Sequence, residues 1–301
     1  MILPDMVTMK TRVIRRVIRN EAAWFEDLVA FHLLKACHTW TGFTASLILF
    51  LFVFAGCSGP ECREVKPVEV VEEELIEKID DRLDDIDATD EQKNAIFSMV
   101  RAFMPEYEAN RTKMDPKINA LLRELQKQSP DRDSVYYLFM EISTAYGQFS
   151  YRFVDLAMEA VPVLSHEQRK ELLREELEPR EPFEGSFMLD RSVDVFLFQI
   201  EASREQKQLT IELKDTLIAM SQPLQKELER LRLEMIKELT VKNPDREKIV
   251  SSLAAYTRAI QKFAPEVISY YLKWHSRLKP SQKDVIHSYI KRFEPCRTQK
   301  D

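Results

Sequence analysis

Glycine is scarce in this sequence, with only 5 glycines among 301 residues. Phosphate-binding loops and dinucleotide-binding turns need glycine where the backbone approaches a ligand closely or adopts a positive φ. None of the motifs GxGxxG, GxxxxGK(S/T) and GxSxG occurs in the chain. The sequence therefore gives no support to the common classes of nucleotide-binding protein and hydrolase.

Histidine is also rare, and the five histidines are His32, His38, His166, His275 and His287. Asp284 and His287 have the spacing that puts two metal ligands on one helix face, but no ExxH motif occurs. A di-metal helical bundle needs several carboxylate and histidine ligands on facing helices. We therefore predict that the protein is not an enzyme and holds no metal or cofactor. The formal net charge of −6 argues against nucleic acid as a partner.

The residues that are abundant favour helices. Leu, Glu, Lys, Arg and Gln are all good helix formers, and the 14 prolines fall between segments of regular apolar spacing. Hydrophobic residues make up 45% of the chain and charged residues 31%, enough for a buried core under a charged surface. The composition predicts an all-α protein.

The most apolar run, residues 45–56, has the length of a signal-peptide core and is short for a membrane span. It ends in Phe54-Ala55-Gly56-Cys57, which resembles a bacterial lipobox. We predict a signal peptide at residues 1–56, over-extended if translation begins near Leu33 or Leu34. Cys57 is then lipidated, or is an ordinary thiol if the protein is simply secreted. We predict a bacterial periplasmic protein, lipid-anchored to the inner or outer membrane.

Residues 57–70 form a predicted tether between the lipid anchor and the helices. From residue 57 to residue 87 there are 12 acidic and 4 basic residues, which is typical of a solvated spacer that runs into an acidic helix. Cys62 and Cys296 lie near the two ends of the mature chain. They either form a disulfide in an oxidising periplasm or stay as free or intermolecular thiols.

An internal duplication with a constant offset of 114 residues organises the rest of the chain. Residues 88–93 (ATDEQK) recur at 202–207 (ASREQK), and residues 164–169 (LSHEQR) recur at 278–283 (LKPSQK). The register needs no gap from residue 72 to residue 172. We therefore predict two homologous units, at 71–180 and 189–296, joined by a linker at 181–188.

Each unit has the apolar periodicity of helices, as in the stripe of Leu75, Ile79, Leu83 and Ile86. The pattern predicts further helices from Thr89 to about Phe103, from Pro116 to Gln128 and from Arg132 to Ala160, followed by a short helix that opens at Ser165. The second unit repeats this plan, with Pro223 and Pro265 expected to kink or break helices.

Four helix starts carry a glutamine three residues after the predicted cap. The pairs are Thr89 with Gln92, Ser165 with Gln168, Ser203 with Gln206, and Lys279 with Gln282, where the hydroxyl residue is missing. In a capping box the hydroxyl accepts from a backbone N–H, and the third helical side chain reaches back to the cap. Glu serves there as well as Gln, so four copies of Gln indicate a specific role for the amide.

These motifs resemble the paired LTxxQ signature of the Spy/CpxP family of periplasmic proteins, present here twice. The paired glutamines lie 76 residues apart in each unit, and the Pro-Asp-Arg turns at 130–132 and 244–246 resemble the family's hinge. The resemblance implies a thin, curved, all-helical cradle that is an antiparallel dimer in the family. With two helical-hairpin units in one chain, we expect a monomer that forms an intramolecular pseudo-dimer, or else a homodimer.

The resemblance also implies a function. Spy-like proteins hold unfolding clients without ATP, CpxP-like members restrain an envelope-stress sensor kinase, and a zinc-resistance branch binds metal. We expect an ATP-independent chaperone-like protein whose partners are unfolded or misfolded envelope proteins. The alternatives are a stress- or metal-responsive regulator that binds a sensor kinase domain or metal, and a purely structural helical lipoprotein.

The two units differ in charge, with a net −3 over residues 88–180 and a net +6 over residues 202–294. A basic second unit attracts acidic clients over roughly 10 Å, the Debye length. The candidates for a client surface are Arg230, Arg232, Lys237, Lys242, Lys262 and Lys273. For any single one of them, a solvated helix face is the commoner explanation. Aromatic residues such as Tyr136, Tyr137, Tyr271 and Trp274 are either core or exposed client contacts.

Overall fold

The computed structural model describes residues 65–178, 186–291 and 293, without the side chains of residues 186–192. The described residues form helices and no strand, which confirms the all-α prediction. The predicted signal peptide, Cys57, Cys62, most of the linker and Cys296 lie outside the described residues. Within the described ranges, no helix is both long and apolar enough to span a bilayer.

The helices are α1 (Val68–Asp84), α2 (Asp90–Leu125), α3 (Arg132–Ala160), α4 (His166–Leu172), α5 (Ser186–Gln199), α6 (Arg204–Thr240), α7 (Arg246–His275) and α8 (Pro280–Lys291), with a 3₁₀ turn at Glu175–Leu177. Helices α2, α3 and α4 begin at residues 90, 132 and 166. Helices α6, α7 and α8 begin 114 positions later, at residues 204, 246 and 280. The offset of the sequence duplication is therefore also the offset of the helix starts.

The predicted break between Phe103 and Pro116 is wrong, because α2 is one helix of 36 residues with Pro105 and Pro116 inside it. Pro223 and Pro265 likewise lie inside α6 and α7 and end neither helix. An internal proline removes one backbone hydrogen bond and costs about 3 kcal/mol. Each of these helices buries apolar side chains on both sides of its proline, and this burial offsets the cost.

The apolar stripe of α1 packs against the first half of α2. Leu75, Ile79 and Leu83 are buried there together with Val100 and Phe103. The end of α3 closes this smaller core through a contact between the rings of Phe103 and Phe153, whose centroids lie 4.9 Å apart. The predicted amphipathic helix therefore covers the side of the first hairpin.

The four long helices pack side by side in the order α2, α3, α7, α6. The outer helices α2 and α6 make no extended contact with each other in the part of the chain that the structure describes. The layer is therefore open and does not close into a bundle. Its larger core continues across the central α3–α7 contact, from Phe139 and Ile142 on α3 to Tyr256 and Ile260 on α7.

Helices α3 and α7 contact each other through small and polar residues near Ser143 and Gly147. Gln261 Nε2 donates to Ser143 Oγ at 2.8 Å and to Thr144 Oγ1 at 3.3 Å. A Cβ placed on Gly147 would lie 3.1 Å from Thr257 Cγ2 and 3.7 Å from Thr257 Cβ. The contact of residues 143 and 261 is thus matched by one between residues 257 and 147, which occupy the same positions of the repeat with their roles exchanged.

Candidate functional site

Three of the four motif copies form complete capping boxes. The hydroxyls of Thr89, Ser165 and Ser203 accept hydrogen bonds from the backbone N–H groups of their glutamines, and the glutamine Oε1 atoms accept from the cap N–H groups. At the start of α8, the backbone N–H of Lys279 donates to Gln282 Oε1 at 2.8 Å. The glutamine half of the box therefore persists where lysine replaces the hydroxyl residue.

The motif glutamines also bind each other in pairs. Gln92 Nε2 donates to Gln168 Oε1 at 3.0 Å, and Gln168 Nε2 donates back to Gln92 Oε1 at 3.1 Å. Gln206 and Gln282 form the same two hydrogen bonds, at 2.8 and 3.0 Å. We call each pair a glutamine clasp; it ties together two helix starts that lie 76 residues apart in the chain.

The second amide hydrogen of these glutamines is directed at the turn before the partner helix. Gln92 Nε2 lies 2.8 Å from Val163 O, Gln206 Nε2 lies 2.8 Å from Arg277 O, and Gln282 Nε2 lies 2.9 Å from Ile200 O. An amide in this arrangement uses both donor hydrogens and both lone pairs of its oxygen. An ionised Glu has no hydrogen to donate, which accounts for glutamine in all four copies.

The two clasps differ in burial. Gln206 and Gln282 are only 8% and 4% exposed, whereas Gln92 and Gln168 are half-buried. An unsatisfied polar group is costly in proportion to its separation from water. The second clasp should therefore tolerate substitution less well than the first.

A cation follows the second glutamine of each clasp and reaches across to the other hairpin. Arg169 Nη2 donates to the carbonyls of Val241 and Lys242, at 2.9 and 3.2 Å. Lys283 Nζ donates to the carbonyl of Gln128 at 2.6 Å. Residues 169 and 283 occupy equivalent positions of the repeat, as do residues 242 and 128. Each cation thus lies at the C-terminal end of a long helix, where the helix dipole favours positive charge.

These cross-hairpin cations were missed in the sequence, although a signal was present. Both directly follow a motif glutamine, and both are buried, with exposures of 7% for Arg169 and 9% for Lys283. The sequence shows a cation at both equivalent positions. It does not show that these cations bind backbone carbonyls, because the carbonyls lie in a distant part of the chain.

The prediction that Arg232 belongs to a client surface is wrong. Its side chain is 1% exposed, and its guanidinium binds the carboxylate of Glu229 and the backbone carbonyls of Glu176 and Glu178. The carboxylate of Glu176, also buried, lies 3.4 Å away. Arg232 therefore joins α6 to the 3₁₀ turn at Glu175–Leu177 and is unavailable to a partner.

The other five candidates are exposed but lie in different places. Arg230 is paired with Glu227 and Glu234 on its own helix, and the hydrogen bonds that its guanidinium donates to Glu227 are the main cause of its raised pKa. Lys237 and Lys242 lie at the end of α6, while Lys262 and Lys273 lie on the solvent face of α7. The structure therefore places these lysines at two separate positions on the second hairpin.

A shallow depression of about 450 Å³ lies beside the end of α6. Its lining includes Lys237, Val241, Lys248 and Ser251. The side chain of Val241 is 41% exposed. The depression is open to solvent and combines one apolar side chain with groups of both charges, which is the composition of a weak contact surface.

The aromatic candidates separate into buried and exposed groups. Tyr271 and Trp274 are both 4% exposed and belong to the core, whereas Tyr136 and Tyr137 are 39% and 62% exposed near the start of α3. Phe198, near the end of α5, is 81% exposed. The exposed aromatic surface is thus spread over both hairpins.

No group of three or more His, Cys, Asp or Glu side chains in the described ranges is arranged to hold a metal ion. No protein-family model, curated protein or solved structure matches the chain. The geometry defines an open all-α layer of two helical hairpins, with one glutamine clasp within each half.

Replacement of Gln282 by Glu tests the clasp. The substitution preserves size but removes the donor to Gln206 and Ile200 and places a carboxylate against an amide oxygen. We expect a loss of about 3 kcal/mol in the free energy of unfolding, measured by urea denaturation followed by circular dichroism. Gln92→Glu, in the half-buried clasp, should lose less. The exposed control Gln208→Glu should change by about 0.5 kcal/mol at most, and an equal loss in all three variants would contradict the clasp.

Replacement of Arg232 by Met tests its reassignment from surface to core. Removal of the cation that faces the buried carboxylate of Glu176 should cost about 3 to 5 kcal/mol of stability. The matched control Arg230→Met, two residues away on the exposed face of α6, should stay within about 0.5 kcal/mol of the wild type because its pairs are solvated. Similar urea midpoints for the two variants would show that Arg232 is not a structural residue.

Proposed function

We propose that this chain is a tandem Spy/CpxP-like protein of the bacterial periplasm that binds unfolded or misfolded envelope proteins without ATP. The proposal combines the fourfold LTxxQ-like motif with the helical layer. Residues 1–56 would be a signal peptide and Cys57 would carry a lipid, and the tether predicted at residues 57–70 would end where α1 begins, at Val68.

The observation that carries the proposal is the exchange of contacts between the two hairpins. The pair Ser143–Gln261 is matched by Thr257–Gly147. The contact from Arg169 to the carbonyl of Lys242 is matched by the contact from Lys283 to that of Gln128. Such reciprocity is the mark of a two-fold interface, in which residue i of one subunit contacts residue j of the other and the reverse. We infer that units 71–180 and 189–296 form an intramolecular pseudo-dimer, one unit replacing each subunit.

An open layer suits a protein that binds extended chains, because both of its faces contain surface that a closed bundle would bury. Lys237, Lys242, Lys262 and Lys273 are exposed on the second hairpin and form no ion pair among the described residues. Exposed aromatic side chains, such as Tyr137, lie on the first hairpin. Unpaired cations together with scattered apolar side chains offer weak, adaptable contacts to acidic and apolar segments of unfolded proteins.

The proposed function is tested by light scattering of an aggregating acidic client protein, without nucleotide, in the presence of the chain that begins at Ser58. We expect suppression at equimolar or modest excess ratios, weaker at high salt because the lysine contacts are screened. The four-lysine variant Lys237→Gln, Lys242→Gln, Lys262→Gln, Lys273→Gln should suppress aggregation several-fold less well.

The matched control removes the same charge from the first hairpin, through Arg101→Gln, Lys127→Gln, Lys170→Gln and Arg174→Gln, and should retain suppression. No suppression by the wild type at about tenfold excess, where micromolar binding should still show, would contradict the chaperone proposal. The alternative of a regulator that binds a sensor kinase domain or a metal would then take its place.

A further inference from the structure

A buried histidine, His275, and a half-buried one, His287, lie together where α7 meets α8. His275 is 1% exposed, and its ring centroid lies 6.1 Å from that of His287, with the two rings nearly parallel. The Nε2 atoms of both residues are buried and have no hydrogen-bond partner among the described residues. An unpartnered buried imidazole nitrogen can be tolerated while neutral, but a proton placed on it brings a buried charge.

The lysines around the pair oppose that proton, whereas the carboxylate of Asp284 favours it on His287. From α8, Lys283 is buried beside the histidines and Lys291 adds a second positive charge, while Asp284 lies 3.9 Å from His287 Nδ1 but is largely exposed. The end of α2 contributes the Gln128 carbonyl, which accepts from Lys283, and the Gln128 amide, which donates to Asp284. From α7 itself comes the ring of Tyr271, with its centroid 5.5 Å from that of His275.

Both histidines are therefore neutral at pH 7. Burial, aided by Lys283 and His287, lowers the pKa of His275 from 6.5 to about 4. Burial is also the main cause of the lowered pKa of His287. The unfolded chain binds protons at a higher pH than the folded chain. The contribution of the neutral histidines to the free energy of unfolding is therefore fully present above pH 6.5 and is lost as the pH falls toward 4.

An aromatic cluster lies beneath the same junction. Trp274 lies 5.9 Å from Phe196 and 6.3 Å from Tyr271 between ring centroids, and Phe196 lies 6.3 Å from Tyr289 of α8. These four side chains, with Ile286 and Ile290, are buried. A displacement of α8 from α7 would uncover Phe196, Tyr271 and Trp274 as an apolar surface, the kind of surface that marks binding sites, while Tyr289 would leave with α8.

The arrangement occurs in one half of the repeat only. The positions equivalent to His275 and His287 are Val161 and Leu173, and the position equivalent to Trp274 is Ala160. The first half thus has an apolar version of the same junction. The histidines are not a requirement of the fold, and the chain itself provides the matched apolar residues for an experiment.

We propose that His275 and His287 form an acid-sensitive latch: their protonation displaces α8 from α7 and exposes Phe196, Tyr271 and Trp274 as a binding surface for apolar segments of acid-unfolded proteins. Acid that protonates the histidines also unfolds other proteins, so the latch would open under the conditions in which clients appear. The latch opens α8 from α7 and also releases the contacts that α8 makes through Gln282, Lys283 and Tyr289. What the exposed cluster binds rests on the proposed function.

The expected size of the effect follows from the proton linkage. For one histidine whose pKa is 6.5 when the junction is open and about 4 when it is closed, the opening equilibrium constant rises about 20-fold between pH 7 and pH 5. The lowered pKa of His287 in the closed state increases the rise in the opening equilibrium constant further. The first half, with Val161 and Leu173, has no such dependence.

The test uses the full chain with Trp24→Phe and Trp40→Phe, so that Trp274 is the only tryptophan. We expect its emission to move to longer wavelength as the pH falls from 6.5 to 4.5, with a parallel rise in binding of the apolar dye 8-anilinonaphthalene-1-sulfonate. The far-UV circular dichroism should stay helical, because only the α8 contact opens. The variant His275→Val, His287→Leu should show neither change, while His166→Ala should behave like the wild type.

Several outcomes would overturn the latch: no emission shift down to pH 4.5, the same shift in the double variant, a shift without dye binding, or a simultaneous loss of helical signal. Should the double variant fail to fold, nuclear magnetic resonance titration of His275 in the wild type decides, since a pKa near 6.5 excludes the mechanism. Aggregation suppression at pH 7.5, with α8 in place, tests the proposed function separately, so that a failed latch and a failed chaperone are distinguishable.

Discussion

The buried amide pair of Gln206 and Gln282 is the interaction on which the second half of the structure depends. It fixes the starts of α6 and α8 against each other across 76 residues of chain, and it leaves no hydrogen-bonding group of either amide unused. The half-buried pair of Gln92 and Gln168 does the same for α2 and α4. Because α4 and α8 are held in this way, the cations that follow the glutamines reach the opposite hairpin. The clasp within each half thus supports the contacts between the halves.

The two halves have the same frame but different chemistry. In the first, Val161 and Leu173 occupy the positions that His275 and His287 occupy in the second. The first half carries the acidic helix α1, and the second carries exposed, unpaired lysines. Two identical subunits cannot differ in this way, whereas a duplicated chain can carry the unpaired lysines and the histidine pair in its second half alone.

The fold class and the start of every long helix in the described ranges were predictable, because caps and apolar periodicity are local signals. Arg132–Ala160 was predicted with its observed bounds. The continuity of α2 could not be predicted, because the burial that offsets the cost of Pro105 and Pro116 comes from other helices.

The candidate site was predicted in part. The motif indicated that the amide of Gln92 matters, but its hydrogen-bond partner lies in a distant segment. Arg232 was wrongly predicted to be a surface cation, because its partners, the carbonyls of Glu176 and Glu178, belong to the other half of the chain.

The central claim is that one chain folds back on itself to make the contact that two subunits make in a dimer. The most direct measurement is disulfide trapping in a chain with its four native cysteines replaced by serine and with Gly147→Cys and Thr257→Cys added. The two Cβ atoms would lie 3.7 Å apart, close to the mean for a disulfide. Oxidation followed by non-reducing electrophoresis should give a cross-linked monomer at every protein concentration. Covalent dimers, or no cross-link in a folded chain, would contradict the account.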